Sequence, residues 1–359
     1  MNANGTDPTE EPPWLDPVSE TALEAVIPHW MPASSAALYA RWWQLEIWLR
    51  ELAYVELRAK LGRQWTSAVK EANGRLRQDA PYTHMTGPDN DNPLAYLDYK
   101  QLLSLIEAHW PQFEDTLIER ASWDGRQPEL QRIRHRIGHL RKPHSDDLGR
   151  IEQTLRDLER GAFIAYASYN TSGVPNPDKH SDPVTRGWIK EEHPDAQRLI
   201  SHADRQYETR VIVRVGRRPW ARMPRDLDGA SGVLWDVLFI LRDRVVDVAD
   251  LWRDSQLDSI RPYVVHMLAD SPTAVRFTFS AVDDGSIIAD AIGAAFDAVL
   301  MTARRVDFES FSQDRWSRRA NAVDYRVMHG AGWNIVDEST VPITQFGAGG
   351  GVEVAPNWR

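Results

Sequence analysis

A chain of 359 residues has room for two domains of ordinary size. Its 42 Lys and Arg against 52 Asp and Glu leave a net charge of -10, which excludes a molecule that grips nucleic acid by bulk charge while leaving room for a local basic patch. Zero cysteines exclude a disulfide scaffold, thiolate metal sites and a cysteine nucleophile, and with no signal-like or membrane-length uncharged stretch the composition fits a cytoplasmic protein with no membrane partner.

Residues 1–30 carry Asp7, Glu10, Glu11, Asp16, Glu20 and Glu24 but no Lys or Arg, and five prolines interrupt them. Residues 1–33 are therefore expected to form an acidic, proline-rich arm, either simply solvated or lying over a basic surface of this chain or a partner. From Ser34 to about Arg77, apolar residues at Leu38, Trp42, Leu45, Leu49 and Leu52 recur at three and four, which predicts a long helix with a break near Gly62. Trp43, Ile47, Trp48 and Tyr54 widen its stripe, so it is expected to be buried on more than one side, in the core or in a dimer interface. Residues 79–93 read as a loop, 94–110 as a helix, and a third helical stretch is expected from Phe113. Two further helices are expected between Pro128 and Tyr169, with Pro128 in a first turn, Pro143 as a stop and Ser145 or Asp146 as an N-cap.

Residues 34–169 are thus predicted to form an all-helical domain. Pro175, Pro177, Pro183 and Pro194 mark 170–204 as a linker. Beyond it, 205–215 and 274–282 read as strands, and 232–252 and 287–305 as helices, giving a second domain over 205–359. The fold class expected is α+β, a helical bundle followed by an α+β domain with a smaller sheet. The glycine run at 347–351 has no phosphate-loop lysine and reads as a tail.

The densest cluster of functional side chains lies before and after Pro143. Residues 126–144 hold six Lys and Arg against one acid, Glu129, a local +5 in an acidic chain. Within it, Arg134-His135-Arg136-Ile137-Gly138-His139 reads as arginine, a polar residue, three others, then histidine. This resembles the signature of the HEPN superfamily, helical domains whose usual active members are metal-independent endoribonucleases. The segments ARWWQLEIWLRELAYVELRAKLG (40–62), YLDYKQLLSLIEAHWPQF (96–113) and ELQRIRHRIGHLRKPHSDDLGRIEQTLRDLERG (129–161) resemble a branch related to a nuclear mRNA-surveillance endoribonuclease and widespread in bacteria.

The residue types suit that chemistry. RNA brings its own nucleophile, the 2′-hydroxyl, so cleavage to a 2′,3′-cyclic phosphate and a 5′-hydroxyl needs a proton-transfer group, in-line geometry and positive charge at the phosphorus. His139 is the candidate for proton transfer, because imidazole titrates near neutrality. Arg134 can fork onto two phosphate oxygens. The resemblance implies that His135 orients the pair or contacts phosphate, and Arg132, Arg136, Arg141, Lys142 and His144 are candidate phosphate contacts. No metal or other cofactor is required.

One geometric difficulty stands out. Five residues apart on an ideal helix, Arg134 and His139 lie about 140° apart around the axis. Either the helix ends there, which Gly138 and Pro143 favour, or the site is composite across a twofold axis, as the resemblance implies; a homodimer is expected. His135 and His139 are also spaced to ligate zinc with His144 following, but Arg136 stands where a metalloprotease helix carries glutamate, and the arginines repel a dication.

Elsewhere, His266 reads as a core or helix-surface histidine, and Asp243, Asp247 and Asp250 as a solvated helix face. Arg214, Arg217, Arg218, Arg222 and Arg225 around Trp220 form a second candidate RNA surface. The leading reading is an endoribonuclease, a toxin or antiphage effector with an antitoxin or other regulatory partner. The alternatives are a non-catalytic module binding RNA, nucleotides or protein, and a structural dimerisation domain.

Overall fold

The computed structural model describes residues 32–69, 73–82, 84, 87, 89–202, 209–305, 316, 319, 320 and 323–329; the acidic arm before Pro32 and the glycine run at 347–351 lie outside them. The first helix, α1 (Ala33–Leu61), buries Leu38, Trp42, Leu45, Leu49 and Leu52, the positions expected from their spacing. It is buried on more than one side, as expected, with every residue from Leu52 to Ala59 inside, but nearer its start Trp43 is 57% exposed, with Tyr39 beside it at a ring separation of 6.2 Å. The helix stops at Gly62, whose φ of 57° belongs to the left-handed region, and a Cβ there would come within 2.3 Å of Asp283 Oδ1. That carboxylate accepts the next backbone N–H, from Arg63, at 2.9 Å, fastening the end of α1 to the second half of the chain.

After a short helix α2 (Asn73–Asp79), α3 (Tyr99–Ala108) opens on a capping box in which the Asp98 carboxylate accepts from Gln101 N–H and the Gln101 side chain accepts from Asp98 N–H. The helix expected from Phe113 does not form there. Phe113 is fully buried in a turn, and the next helix, α4 (Arg120–Gly138), begins where the Glu119 carboxylate caps Ser122 N–H. Pro128 consequently sits inside α4 rather than in its first turn. The last bundle helix, α5 (Asp147–Asn170), passes so close to the preceding turn that a Cβ on Gly161 would overlap the Thr116 carbonyl.

The remaining elements build one six-stranded sheet in the order β1-β2-β3-β5-β4-β6: β1 (Ser172–Gly173), β2 (Arg210–Arg217), β3 (Val233–Ile240), β4 (Val264–Ser271), β5 (Ala274–Ser280) and β6 (Val327–His329). All neighbours are antiparallel except β4 and β6, which run parallel. The protein is therefore α+β. The helix expected over 232–252 is a correction: the stretch forms β3, a turn and the one-and-a-half-turn helix α7 (Val248–Arg253). VLWDVLFI lacks the alternation of a half-exposed strand because both faces of β3 are covered. Val233, Trp235, Val237 and Phe239 face one apolar core and Leu234 the other. The proline-rich stretch expected as a linker is also structured. It supplies edge strand β1, a π-helical turn at Thr185–Ile189 and helix α6 (Pro194–His202), with Val184, Trp188 and Ala196 buried.

One side of the sheet is covered by α8 (Gly285–Thr302), whose Ile288, Ile292, Phe296 and Val299 are fully buried. This helix is long and apolar enough to cross a bilayer by composition, and most of its apolar residues pack against the sheet, with Ile287 and Met301 left exposed. The other side is covered by the N-terminal bundle, whose core takes in Leu234, Val265 and Leu268. The sheet is thus a middle layer shared by two sets of helices.

The bundle–sheet interface is unusually polar. Glu56 of α1 accepts from Arg218 Nε at 2.9 Å, from Arg218 Nη2 at 2.5 Å and from Trp220 Nε1 at 2.6 Å, with both charged side chains at 0% exposure. Tyr54 O–H donates to the Val265 carbonyl at 2.7 Å, and the Arg58 guanidinium donates to the carbonyls of Pro262 and Tyr263. His266, on β4 rather than on a helix, is fully buried: its Nδ1 lies 2.6 Å from Tyr169 Oη and its Nε2 faces Glu51 Oε2 at 3.9 Å.

Burial pushes the Glu51 carboxyl up to about 8, with Asp89 adding a smaller push, and burial followed by Arg58, Arg218 and Arg326 brings His266 down to about 3. The folded chain keeps the Glu51 proton that the unfolded chain releases, so this contribution is complete below 4.5 and is lost as pH rises to about 8. Glu51→Gln should therefore gain on the wild type across that window, by about 4 kcal/mol at its upper end. Urea unfolding at several pH values reads this, and a constant difference would show that Glu51 ionises as freely as in water.

Candidate active site at the end of the fourth helix

Helix α4 buries Trp123, Gln127, Leu130 and Ile133 against the bundle, which leaves its last turn on the surface with Arg134, His135 and His139 exposed. His139 is the C-cap, with φ -105° and ψ 15°, so it sits where the helical path ends. Leu140 N–H donates to the Ile137 carbonyl at 3.0 Å and Arg141 N–H to the Arg136 carbonyl at 2.9 Å, the pair of bonds that defines a Schellman terminus. The residue such a terminus places in the left-handed region is usually glycine; here it is Leu140, at φ 52° and 94% exposed. Gly138 remains inside the helix. Because its side chain touches so little, Leu140→Gly should stabilise the fold by about 0.5–1 kcal/mol, the relief of strain less the added freedom of the unfolded chain. A midpoint of urea unfolding at or below that of the wild type would contradict this.

The terminus resolves the angular difficulty in part. The rings of His135 and His139 stack edge to face at 4.3 Å. The Arg134 guanidinium folds back along the helix, its Nη1 3.9 Å from where a Cβ on Gly138 would be. The His135 imidazole is held below the ordinary histidine value, first by lost hydration and then by the positive charges of His139, Arg141 and Arg134. Arg134, His135, His139 and Arg141 thus form one electrostatically coupled group.

Other expected contacts are not free to join it. Arg136 is tied to Asp147, its Nε donating to Oδ2 at 2.7 Å and its Nη2 to Oδ1. The same Asp147 accepts from His144 N–H at 3.0 Å, while the His144 ring accepts from Asp146 N–H at 3.2 Å. Neither residue faces the pair of histidines through these contacts. Asp146 precedes α5 but makes no side-chain cap; it is Asp147, 2% exposed, that pins the 141–146 loop against α4. Sequence reading named Ser145 and Asp146 and missed Asp147; an acid in the first turn of a helix is favoured, but its pairing with Arg136 carries no local signal.

Arg132, Arg134, Arg141 and Lys142 form no ion pair with any described carboxylate. Among the described residues, no three His, Asp or Glu side chains are grouped to hold a metal ion. The second candidate RNA surface is divided: Arg218 and Trp220 turn inward to hold Glu56, while Arg217, Arg222 and Arg225 are exposed, Arg217 donating to the Ala221 carbonyl at 2.6 Å. Asp243, Asp247 and Asp250 do not share a helix face: Asp243 is in a turn at φ 54°, Asp247 caps α7, and Asp250 pairs with Arg319 at 2.9 Å. No family model, curated protein or solved structure matches the chain.

Proposed function

We propose that this chain is a cytoplasmic endoribonuclease of the HEPN type that cleaves RNA without a metal, leaving 2′,3′-cyclic phosphate and 5′-hydroxyl ends. The observation that carries this reading is the meeting of two imidazoles and two arginines, Arg134, His135, His139 and Arg141, on an exposed helix end. In this reading His139 exchanges protons with the 2′-hydroxyl or the leaving 5′-oxygen. Arg134 neutralises the charge that builds on the phosphate, and His135, held below the ordinary histidine value by lost hydration and then by its cationic neighbours, accepts a hydrogen bond. Arg141 and Lys142 hold the flanking backbone, and Arg132, one turn earlier, extends that track.

A homodimer fits this reading, since one helix end offers a single pair of histidines and the exposed Tyr39, Trp43 and Leu140 give apolar surface for a second copy. Service as a toxin or antiphage effector, with an antitoxin or other regulatory partner, belongs to the same proposal.

The test is cleavage of several RNA classes in EDTA with analysis of the product ends. Cyclic phosphate on the 5′ fragment supports the assignment; 3′-hydroxyl ends, or cleavage that EDTA abolishes, refute it. Retained RNA binding with no cleavage would favour the non-catalytic binding module. A pH profile adds a second check. Arg141→Gln removes a positive charge that depresses His135, so the acid limb of the rate profile should move to higher pH. An unmoved limb would remove His135 from the titrating pair.

A further inference from the structure

Arg134, Arg141 and Lys142 of the helix end form no ion pair with a described carboxylate, and the chain carries an acidic segment with no cations of its own. The fold starts α1, the helix that follows this segment in sequence, at the same end of the bundle. The third turn of α1 meets the second turn of α5 through Arg41 Nε and Glu152 Oε1 at 3.9 Å. Further along, Tyr54 of α1 and Tyr169 of α5 both set their rings edge-on to His266, at 5.3 and 5.4 Å. The two helices therefore run parallel, and α1 begins at the same end of the bundle as α5. That end is where Asp147 grips Arg136 and the backbone of His144, holding the loop that carries Arg141 and Lys142. The arm enters the fold at Pro32, directly before α1.

The remaining steps are reach and charge. Glu24 and Glu20 precede Ala33 by nine and thirteen residues, an extended reach of about 30–45 Å, ample to return over the end of the bundle. Six carboxylates without a Lys or Arg stand against the four patch cations, Arg132, Arg134, Arg141 and Lys142, that form no ion pair with a described carboxylate, the other two, Arg126 and Arg136, being held by Asp157 and Asp147.

We propose that the acidic segment before Pro32 docks in the same chain on the basic end of α4, over Arg134, Arg141 and Lys142, and competes there with the RNA backbone. The competition rests on the nuclease reading, whereas the docking does not. RNA must displace the arm, so the protein senses polyanion concentration and ionic strength at the site itself.

Lys142 makes the docking testable, because the chain has only six lysines and this is the one within the patch. Zero-length carbodiimide coupling of the full chain, followed by peptide mass spectrometry, should join Glu20 or Glu24 to Lys142 within the monomer, and high salt should suppress the product. Coupling of arm carboxylates to Lys60, Lys70, Lys100, Lys179 or Lys190 without Lys142, or coupling only between chains, overturns the docking.

The competition is read with a 2′-O-methyl oligoribonucleotide, which lacks the internal nucleophile. The variant Asp7→Asn, Glu10→Gln, Glu11→Gln, Asp16→Asn, Glu20→Gln and Glu24→Gln should bind it about tenfold more tightly than wild type at about 50 mM salt, with the two converging near 300 mM. Equal affinities at low salt overturn the competition. If neither protein cleaves RNA but Lys142 still couples to the arm, the nuclease reading fails and the docking stands.

Discussion

Arg134→Ala/His139→Ala should reduce RNA cleavage by at least about a thousandfold while leaving the fold intact. General acid–base catalysis contributes about 10²–10⁴ and removal of one preorganised charge-stabilising donor costs about 10²–10³, and the two losses overlap because both groups serve one transition state. Stability should barely change, because both side chains are exposed and neither forms an ion pair with a described carboxylate. The measurement is single-turnover cleavage of a labelled RNA beside a thermal melt. Loss of activity with an unchanged melt places the chemistry at the helix end, and retained activity removes it from there. Arg136→Ala is a useful contrast: it leaves Asp147 without its main partner and should destabilise the 141–146 loop, so its effect on activity should come with a change in stability.

The second large effect lies far from the site. Glu56→Ala should cost about 3–5 kcal/mol, because it leaves Arg218 charged, wholly buried and without its carboxylate, and takes the acceptor from Trp220 Nε1. Arg218→Met alone should also destabilise, by stranding Glu56. The double substitution Glu56→Leu/Arg218→Met should recover a large part of the loss, since an apolar pair of similar volume carries no desolvation penalty. Urea denaturation of the three variants measures the coupling, and additive losses would mean that the ions are solvated rather than paired.

Legibility from sequence followed burial. The first half of α1 was readable because one stripe is buried and the opposite side is partly exposed, so apolar residues recur at three and four; from Leu52 to Ala59 every residue is buried and the period is lost. β5 was readable because Arg276 and Thr278 alternate with Val275, Phe277 and Phe279, which face one core. β3 was not, because helices cover both of its faces and erase the period that separates strand from helix. The stretch before β2 looked like a connector because three well-spaced apolar residues, Val184, Trp188 and Ala196, do its anchoring among polar neighbours and prolines.

For the site, the residue types and the helix end were legible, from a local charge contrast and from Gly138 and Pro143. The partition among the cations was not. That Arg136 is held by Asp147 while Arg134 and Arg141 stand by the histidines depends on how α5 packs against α4, which no local pattern encodes. The left-handed Leu140 carries no sequence signal, since glycine is the usual residue there.

The shared middle layer also sets an order of events during synthesis. Tyr54, Glu56 and Arg58 of α1 reach their partners only when residues 218–265 have been made, separations of 211 residues for Tyr54 and 162 for Glu56. Until then, the sheet-facing side of α1 presents a carboxylate, a guanidinium and a phenol with nothing to satisfy them, and the bundle core lacks Leu234, Val265 and Leu268. A nascent chain that has already exposed α4 on the ribosome therefore still lacks one wall of its helical unit.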